Sequence, residues 1–323
     1  MAFVFYDTET TGTNIAFDQI LQFAAVLTDD DLNEIDRFEA RCRLLPWVVP
    51  SPTALKITGI RISQLHDANL PSYFEMMRAV AKRLTSWSPA KFIGYNSINF
   101  DEPFLQNAFW QNLLPPWLTV MGGNSRLDLL PILQIQHRSN PKNLVVPTDK
   151  NGRLRFKLDM LAPANGFHHK NAHDAMGDVE ATIFLARIVA SLDPDLWKIA
   201  NDRSFRPEVE KLLSQPNPLM IFEQYGSPLT WMALPIGINP INPSARIMAR
   251  LDFKWPALLT LNDQALGNAL ENIPWPLHSV ATNKSPLIFT QTEAETIFGM
   301  RVSELENLNV RFFLEHPDQI NRL

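Results

Sequence analysis

An α/β fold followed by a smaller β-rich unit is what this sequence predicts, on three observations. The first 44 residues hold three runs rich in Phe, Val and Ile at strand length. Residues 45–191 combine one further apolar run with amphipathic stretches at helical spacing. Near residue 193 the composition shifts, and proline then becomes frequent. At 323 residues the chain is longer than an average single domain, so two domains are expected.

Residues 2–6 (AFVFY), 20–28 (ILQFAAVLT) and 35–44 (IDRFEARCRL) read as sequential antiparallel strands. After Pro52 comes a helical piece, TALKITGI. A long amphipathic helix then covers residues 71–87, with Phe74, Met77, Ala81 and Leu84 three or four residues apart. KFIGYN (91–96) is the next strand, and residues 99–112, 127–138, 157–166 and 173–191 read as helices. The polar stretch 193–217, containing WKIANDRSFRPEVEKLL, is helical in character. Beyond it LMIFEQY, RIMARLDF, HSVATN and SPLIFT suggest short strands separated by turns, with a helix at 263–272, and the last segment, SELENLNVRFFLEHPDQINRL, is helical again. The expected division is 1–191, 192–303 and a helical start at 304–323.

The overall composition, 46% apolar and 20% charged, is that of a globular protein. A net charge of -5 and a pI near 5.8 give no global attraction for a polyanion, so any nucleic-acid contact must come from a local basic groove. Cys42 is the single cysteine, which excludes an internal disulfide framework and fits a reducing, cytoplasmic setting. The N-terminus lacks a basic n-region, and no stretch reaches the roughly 18–20 apolar residues of a spanning helix. A protein neither secreted nor membrane-bound is expected.

The chemistry-bearing residues are acidic. In FVFYDTETTG, Asp7 and Glu9 stand two apart, and in a strand such positions share a face, so both carboxylates project the same way at the strand end. Such a pair is either solvated in a turn or neutralised by a cation. GYNSINFDEPFL places Asp101 at a helix start, where the helix dipole favours a carboxylate. NAHDAMGDVEAT places His173 and Asp178 at the opening of another helix. His173 precedes Asp178 by five residues, and within one helix the two would diverge by about 140°. His173 is therefore expected in the loop ahead of the helix, with Asp174 as the capping residue. With an ordinary pKa near 6.5, a histidine there can accept a proton at neutral pH. Asp128 is expected to support the site rather than ligate.

D-x-E, then N-F-D, then H-D-A-x-x-D resembles the DEDD superfamily of 3′ to 5′ exonucleases, in its histidine-bearing subclass. The segments YDTETTGTNIAFDQILQFAAVLTD, ITGI, GYNSINFDEPFLQNAFWQN, NSRLDLLPIL and ANGFHHKNAHDAMGDVEATIFLARIV are similar to the bacterial exonuclease I family, over residues 3–191. The resemblance implies a ribonuclease H-like mixed sheet flanked by helices, with an SH3-like domain where the proline-rich β segment lies. The chain ends where that family's helical C-terminal domain would begin, so most of that domain is expected to be missing.

The resemblance also implies two Mg2+ ions, or Mn2+. Asp7 would bridge them, Glu9 and Asp178 would hold the ion carrying the attacking water, Asp101 would support the second ion, and His173 would be the general base. The 3′ end would sit against Thr10, Thr11 and Gly12, with Arg126 as a further substrate contact. Tyr95, Phe100, Phe109 and Trp110 are aromatic candidates for base stacking. Lys198, Arg203, Arg206 and Arg250 are candidates for an entry groove, against the reading of each as a solvated surface charge. The implied activity is metal-dependent 3′ to 5′ degradation of single-stranded DNA to nucleoside 5′-monophosphates by a monomer, with a single-strand-binding protein as a further partner. RNA trimming and non-catalytic single-strand binding are the alternatives.

Overall fold

The computed structural model describes residues 2–168, 174–225 and 227–323. It divides into two compact units, Met1–Trp197 and Lys198–Leu323. In the first unit β1 (Phe3–Thr10), β2 (Ile20–Thr28), β3 (Glu34–Arg41), β4 (Lys91–Gly94) and β5 (Ser125–Asp128) form one sheet, in the order β3-β2-β1-β4-β5. The first three strands pair antiparallel as expected. β4 joins β1 in parallel and β5 joins β4 in parallel. The result is the mixed sheet flanked by helices. β2 is buried along nearly its whole length, whereas β3 alternates exposed and half-buried residues, many of them charged. Charge on the outer strand discourages edge-to-edge pairing.

The helices of this unit are α1 (Pro52–Thr58), α2 (Ile62–Leu65), α3 (Tyr73–Trp87), α4 (Asp101–Gln111), α5 (Leu129–Ser139), α6 (Leu158–Ala164) and α7 (Ala175–Leu192). α3 begins where Ser72 and Glu75 satisfy each other's backbone: Ser72 Oγ accepts from Glu75 N at 3.2 Å, and Glu75 Oε2 accepts from Ser72 N at 2.8 Å. Its Met76, Met77, Val80 and Leu84 join Val4, Tyr6, Phe23, Phe92, Phe104 and Phe109 in the main core. α7 packs on β1 and β2. Because β1 and β4 run parallel, their C-terminal ends share one edge of the sheet, and α4 starts just beyond β4.

Residues 125–128 extend as β5 instead of opening the helix expected at 127–138, and α5 starts at Leu129 with the Asp128 side chain accepting from Leu130 N at 3.1 Å. Four residues are too few to display a strand period, so the pairing with β4 decides their state.

The second unit is built on a five-stranded antiparallel sheet ordered β10-β6-β7-β8-β9. Its strands are β6 (Leu219–Tyr225), β7 (Ser227–Ile238), β8 (Ala245–Arg250), β9 (Leu277–Ala281) and β10 (Leu287–Thr290). Its helices are α9 (Arg206–Leu213), α10 (Trp255–Leu258), α11 (Asp263–Asn272), α12 (Gln291–Phe298), α13 (Glu304–Glu315) and α14 (Pro317–Ile320), after α8 (Pro194–Arg203), within which the unit boundary falls. Four strands and α11 lie where the sequence predicts them. β7 does not, because Pro228, Pro235 and Gly237 interrupt its pattern; the ladder to β8 absorbs the last two with a register shift between Pro235 and Gly237. Val209 and Leu213 of α9 pack with Leu219, Ile221, Trp231, Met248 and Val280. The final helices belong to this unit: Asn309 of α13, fully buried, donates to the carbonyls of Leu251 at 2.7 Å and Phe253 at 2.6 Å. Among the described residues, no helix is long and apolar enough to cross a membrane.

Candidate active site

Strand alternation sends Asp7 and Glu9 to the same face of β1, and α7, packed on that strand, brings Asp178 from its first turn. One carboxylate oxygen from each of Asp7, Glu9 and Asp178 lies within 4.8 Å of the others. Asp101 arrives differently. It opens α4, is 3% exposed, and its Oδ1 accepts from both Thr8 N at 3.1 Å and Thr8 Oγ1 at 2.6 Å. Thr8 lies between the two acids of the D-x-E motif, so the fourth carboxylate is tied directly to the strand bearing the first two. His173 lies outside the described residues.

The electrostatics follow from gathering like charges in a buried place. Burial raises the pKa of Asp7 well above the carboxylate range, and Asp101, Asp178, Glu9 and Asp174 add to it. Burial also pushes Glu9 up to about 8, with further upward push from Asp178, Asp101 and Asp174 and an opposing pull from Arg41. Asp101 rises to about 7 through burial, against the bonds from Thr8. Such a cluster resists full ionisation until a cation supplies compensating charge. The described donors are all carboxylate oxygens, a set suited to hard divalent cations and poorly suited to soft metals.

Two supporting acids are now placed. Asp174 occupies the N-cap position of α7, but its side chain does not cap, contrary to the sequence expectation. Instead it accepts from Arg41 Nη2 at 2.5 Å and Gln22 Nε2 at 2.8 Å, because residues of β2 and β3 reach it. Asp128 accepts from Asn96 N at 2.8 Å and Ile98 N at 3.3 Å, so it organises the turn between β4 and α4 that delivers Asp101.

Thr10 closes β1, and Thr11 and Gly12 bend the chain directly after it. Thr11 Oγ1 donates to Asp18 Oδ1 at 2.8 Å and accepts from Gln19 N at 2.9 Å, while Asp18 Oδ2 accepts from Asn14 N at 2.8 Å. The backbone passes so close that a Cβ on Gly12 would lie 2.4 Å from Asp18 Oδ2, which is why glycine is needed there. Arg126 is not turned out to solvent: its side chain is 11% exposed and its Nη1 meets Glu102 Oε2 at 3.0 Å. Of the aromatic candidates, Phe109 is core, Phe100 packs on Phe104, Tyr95 donates to the carbonyl of Phe156, and Trp110 is 71% exposed. The four candidate groove cations each hold a carboxylate: Lys198 with Asp202, Arg203 with Glu293, Arg206 with Glu210 and Arg250 with Asp252. The sequence reading missed Thr8, Asp18 and Glu102. No local pattern marks Thr8 and Glu102, whose partners Asp101 and Tyr6 lie 93 and 96 residues away.

The chain matches the exonuclease family (RNase_T) over residues 4–186, a segment that includes all four site aspartates and glutamates. It is 32% identical over 305 residues to exodeoxyribonuclease I of Escherichia coli (strain K12), covering 88% of this chain and 63% of that protein. It is 31% identical over 262 residues to exodeoxyribonuclease I of Haemophilus influenzae, covering 77% of this chain and 54% of that protein. The chain thus spans less than two thirds of the length of these relatives. Among solved structures, E. coli exonuclease I in complex with a dA16 oligonucleotide superposes with a TM-score of 0.83 at 28% identity, covering all of this chain and 72% of that one. A product-bound structure of exonuclease I gives 0.79 at the same identity. On the strength of the family match and the acid cluster it contains, the chain belongs to the exonuclease family.

Proposed function

We propose that this chain is a divalent-metal-dependent 3′ to 5′ exonuclease that degrades single-stranded DNA and releases nucleoside 5′-monophosphates, with residues 1–191 as its catalytic part. The observation that carries this reading is the convergence of Asp7, Glu9 and Asp178 within 4.8 Å, with Asp101 tied to the same strand through Thr8. The raised pKa values of Asp7 and Glu9 and the all-oxygen donor set fit Mg2+ or Mn2+, with Asp7, Glu9, Asp178 and Asp101 as the residues that would hold two ions. When bound, such ions neutralise phosphate oxygens and lower the pKa of a water so that it can attack phosphorus. His173, by its place in the family pattern, takes the proton of that water. The Thr10–Gly12 turn, pinned by Asp18, holds the terminal nucleotide close to the acids. Single-stranded DNA is the partner supported by the solved exonuclease I complexes with oligonucleotides, and a single-strand-binding protein by the complex of SSB and exonuclease I.

The test is a digest of single strands labelled at either end, with Mg2+ or with EDTA. Expected is metal-dependent release of mononucleotides from the 3′ end. Release from the 5′ end first, or equal rates in EDTA, would defeat the proposal. Running DNA and RNA of one sequence in parallel decides the sugar, with DNA expected to be cleaved faster.

A further inference from the structure

Glu102, the neighbour of Asp101, is fully buried inside a ring of donors. Its Oε1 accepts from Tyr6 OH at 2.7 Å. Its Oε2 accepts from Thr119 Oγ1 at 2.9 Å, Arg126 Nη1 at 3.0 Å and Gln106 Nε2 at 3.2 Å. These donors come from β1, the turn at Leu118–Val120, β5 and α4. Tyr6 and Thr8 flank Asp7 and, by strand alternation, share the face of β1 opposite to Asp7 and Glu9. Their partners are consecutive: Tyr6 holds Glu102 and Thr8 holds Asp101. One face of β1 is thus latched twice to the first turn of α4, while the other face presents the metal-binding pair.

We propose that Glu102, clamped by Tyr6 and Arg126, is a positioning residue that fixes Asp101 at the spacing from Asp7 which a divalent ion requires. The inference rests on the nuclease reading for its catalytic consequence, but its geometry stands apart from it. Asp7 and Asp101 repel each other, so a single tie through Thr8 leaves the first turn of α4 able to swing away. The second tie, through a carboxylate gripped by four donors, prevents that. A buried ion pair is a poor device for stability alone, since apolar groups of the same shape often hold a fold as well or better. What the Glu102–Arg126 pair adds is a defined register between a helix start and a strand. Arg126 accordingly acts through Glu102 and does not touch DNA.

The experiment uses the whole chain and three variants, Glu102→Gln, Tyr6→Phe and the apolar double variant Glu102→Leu/Arg126→Met. Mn2+ binding is measured by calorimetry, kcat and KM on a 3′-labelled single strand, and folding by circular dichroism. Expected is a rise in the Mn2+ dissociation constant and a fall in kcat, each about 10- to 100-fold, as for other residues that orient metal ligands. KM for the strand should stay within about twofold, and the double variant should remain folded. Folded variants with wild-type Mn2+ affinity would overturn the inference. So would a raised KM at unchanged kcat, which would mark Arg126 as a DNA contact, and so would an unfolded double variant, which would mark the pair as structural. A wild-type chain that binds Mn2+ but releases no nucleotide would fail the nuclease reading alone, and the metal affinities would still decide this one.

Discussion

At the end of β1, three carboxylates approach one another within 4.8 Å and a fourth is tied to the same strand. In the second unit, carboxylates meet cations instead: Glu293 holds Arg203 at 2.7 Å, Glu210 holds Arg206 at 2.8 Å, and Asp252 holds Arg250 at 2.5 Å. Arg250 also lies over the rings of Trp231 and Phe253. The contrast separates two uses of charge. Paired charge satisfies itself and serves packing. Like charge gathered at a strand end raises its own proton affinity and stays costly until a cation comes from outside, which is the property a metal-using site needs.

The largest expected effect breaks the contrast from the acidic side. Asp7→Asn should reduce Mg2+-dependent nucleotide release by more than about 100-fold. It should also raise the melting temperature in EDTA at pH 8, because one member of a repelling set has lost its charge. A lower melting temperature there would show that Asp7 serves the fold. Next comes the paired side. Arg203 is 6% exposed, donates to the carbonyl of Ile288 at 3.1 Å and grips Glu293 through two bonds. Arg203→Met should therefore cost about 3 kcal/mol in denaturant unfolding of the second unit, with Mn2+ affinity at the acid cluster unchanged.

A pH series sharpens the comparison further. Glu9 and Asp101 have folded-state values of about 8 and about 7, above their unfolded values near 4, so the folded chain binds more protons across that interval. In EDTA, their stabilising contribution is complete below about pH 4 and is lost as pH rises through 7 and 8. The melting temperature should fall by several degrees from pH 6 to pH 8.5 in EDTA and much less with Mg2+ present. A flat profile in EDTA would contradict the raised values. The smallest effect belongs to the turn. Gly12→Ala pushes a methyl group into the pinned Asp18 carboxylate and should cost about 1 kcal/mol, with a higher KM for the strand and little change in metal affinity.

Much of the first unit was legible because its signals are local. The apolar runs at 2–6 and 20–28 and the spacing of α3 announce themselves within a few residues. β5 and β7 were not legible, one being too short to show a period and the other broken by Pro228 and Pro235. Asp174 shows the same limit in the site. Its position before a helix suggested a cap, but side chains from Gln22 and Arg41, distant in sequence, claimed its carboxylate. Arg126, expected from the resemblance as a substrate contact, is held by Glu102, 24 residues away along the chain.

By itself, the sequence determined that Asp7 and Glu9 face one way and that Asp101 and Asp178 each stand in the first turn of a helix. Backbone periodicity sets such directions over two to four residues. The tertiary structure decided which of these ends meet, and it revealed Thr8 and Glu102 as the ties between β1 and α4. Hydrogen bonds across 93 and 96 residues depend on how sheet and helix pack, and no spacing rule along the chain encodes them.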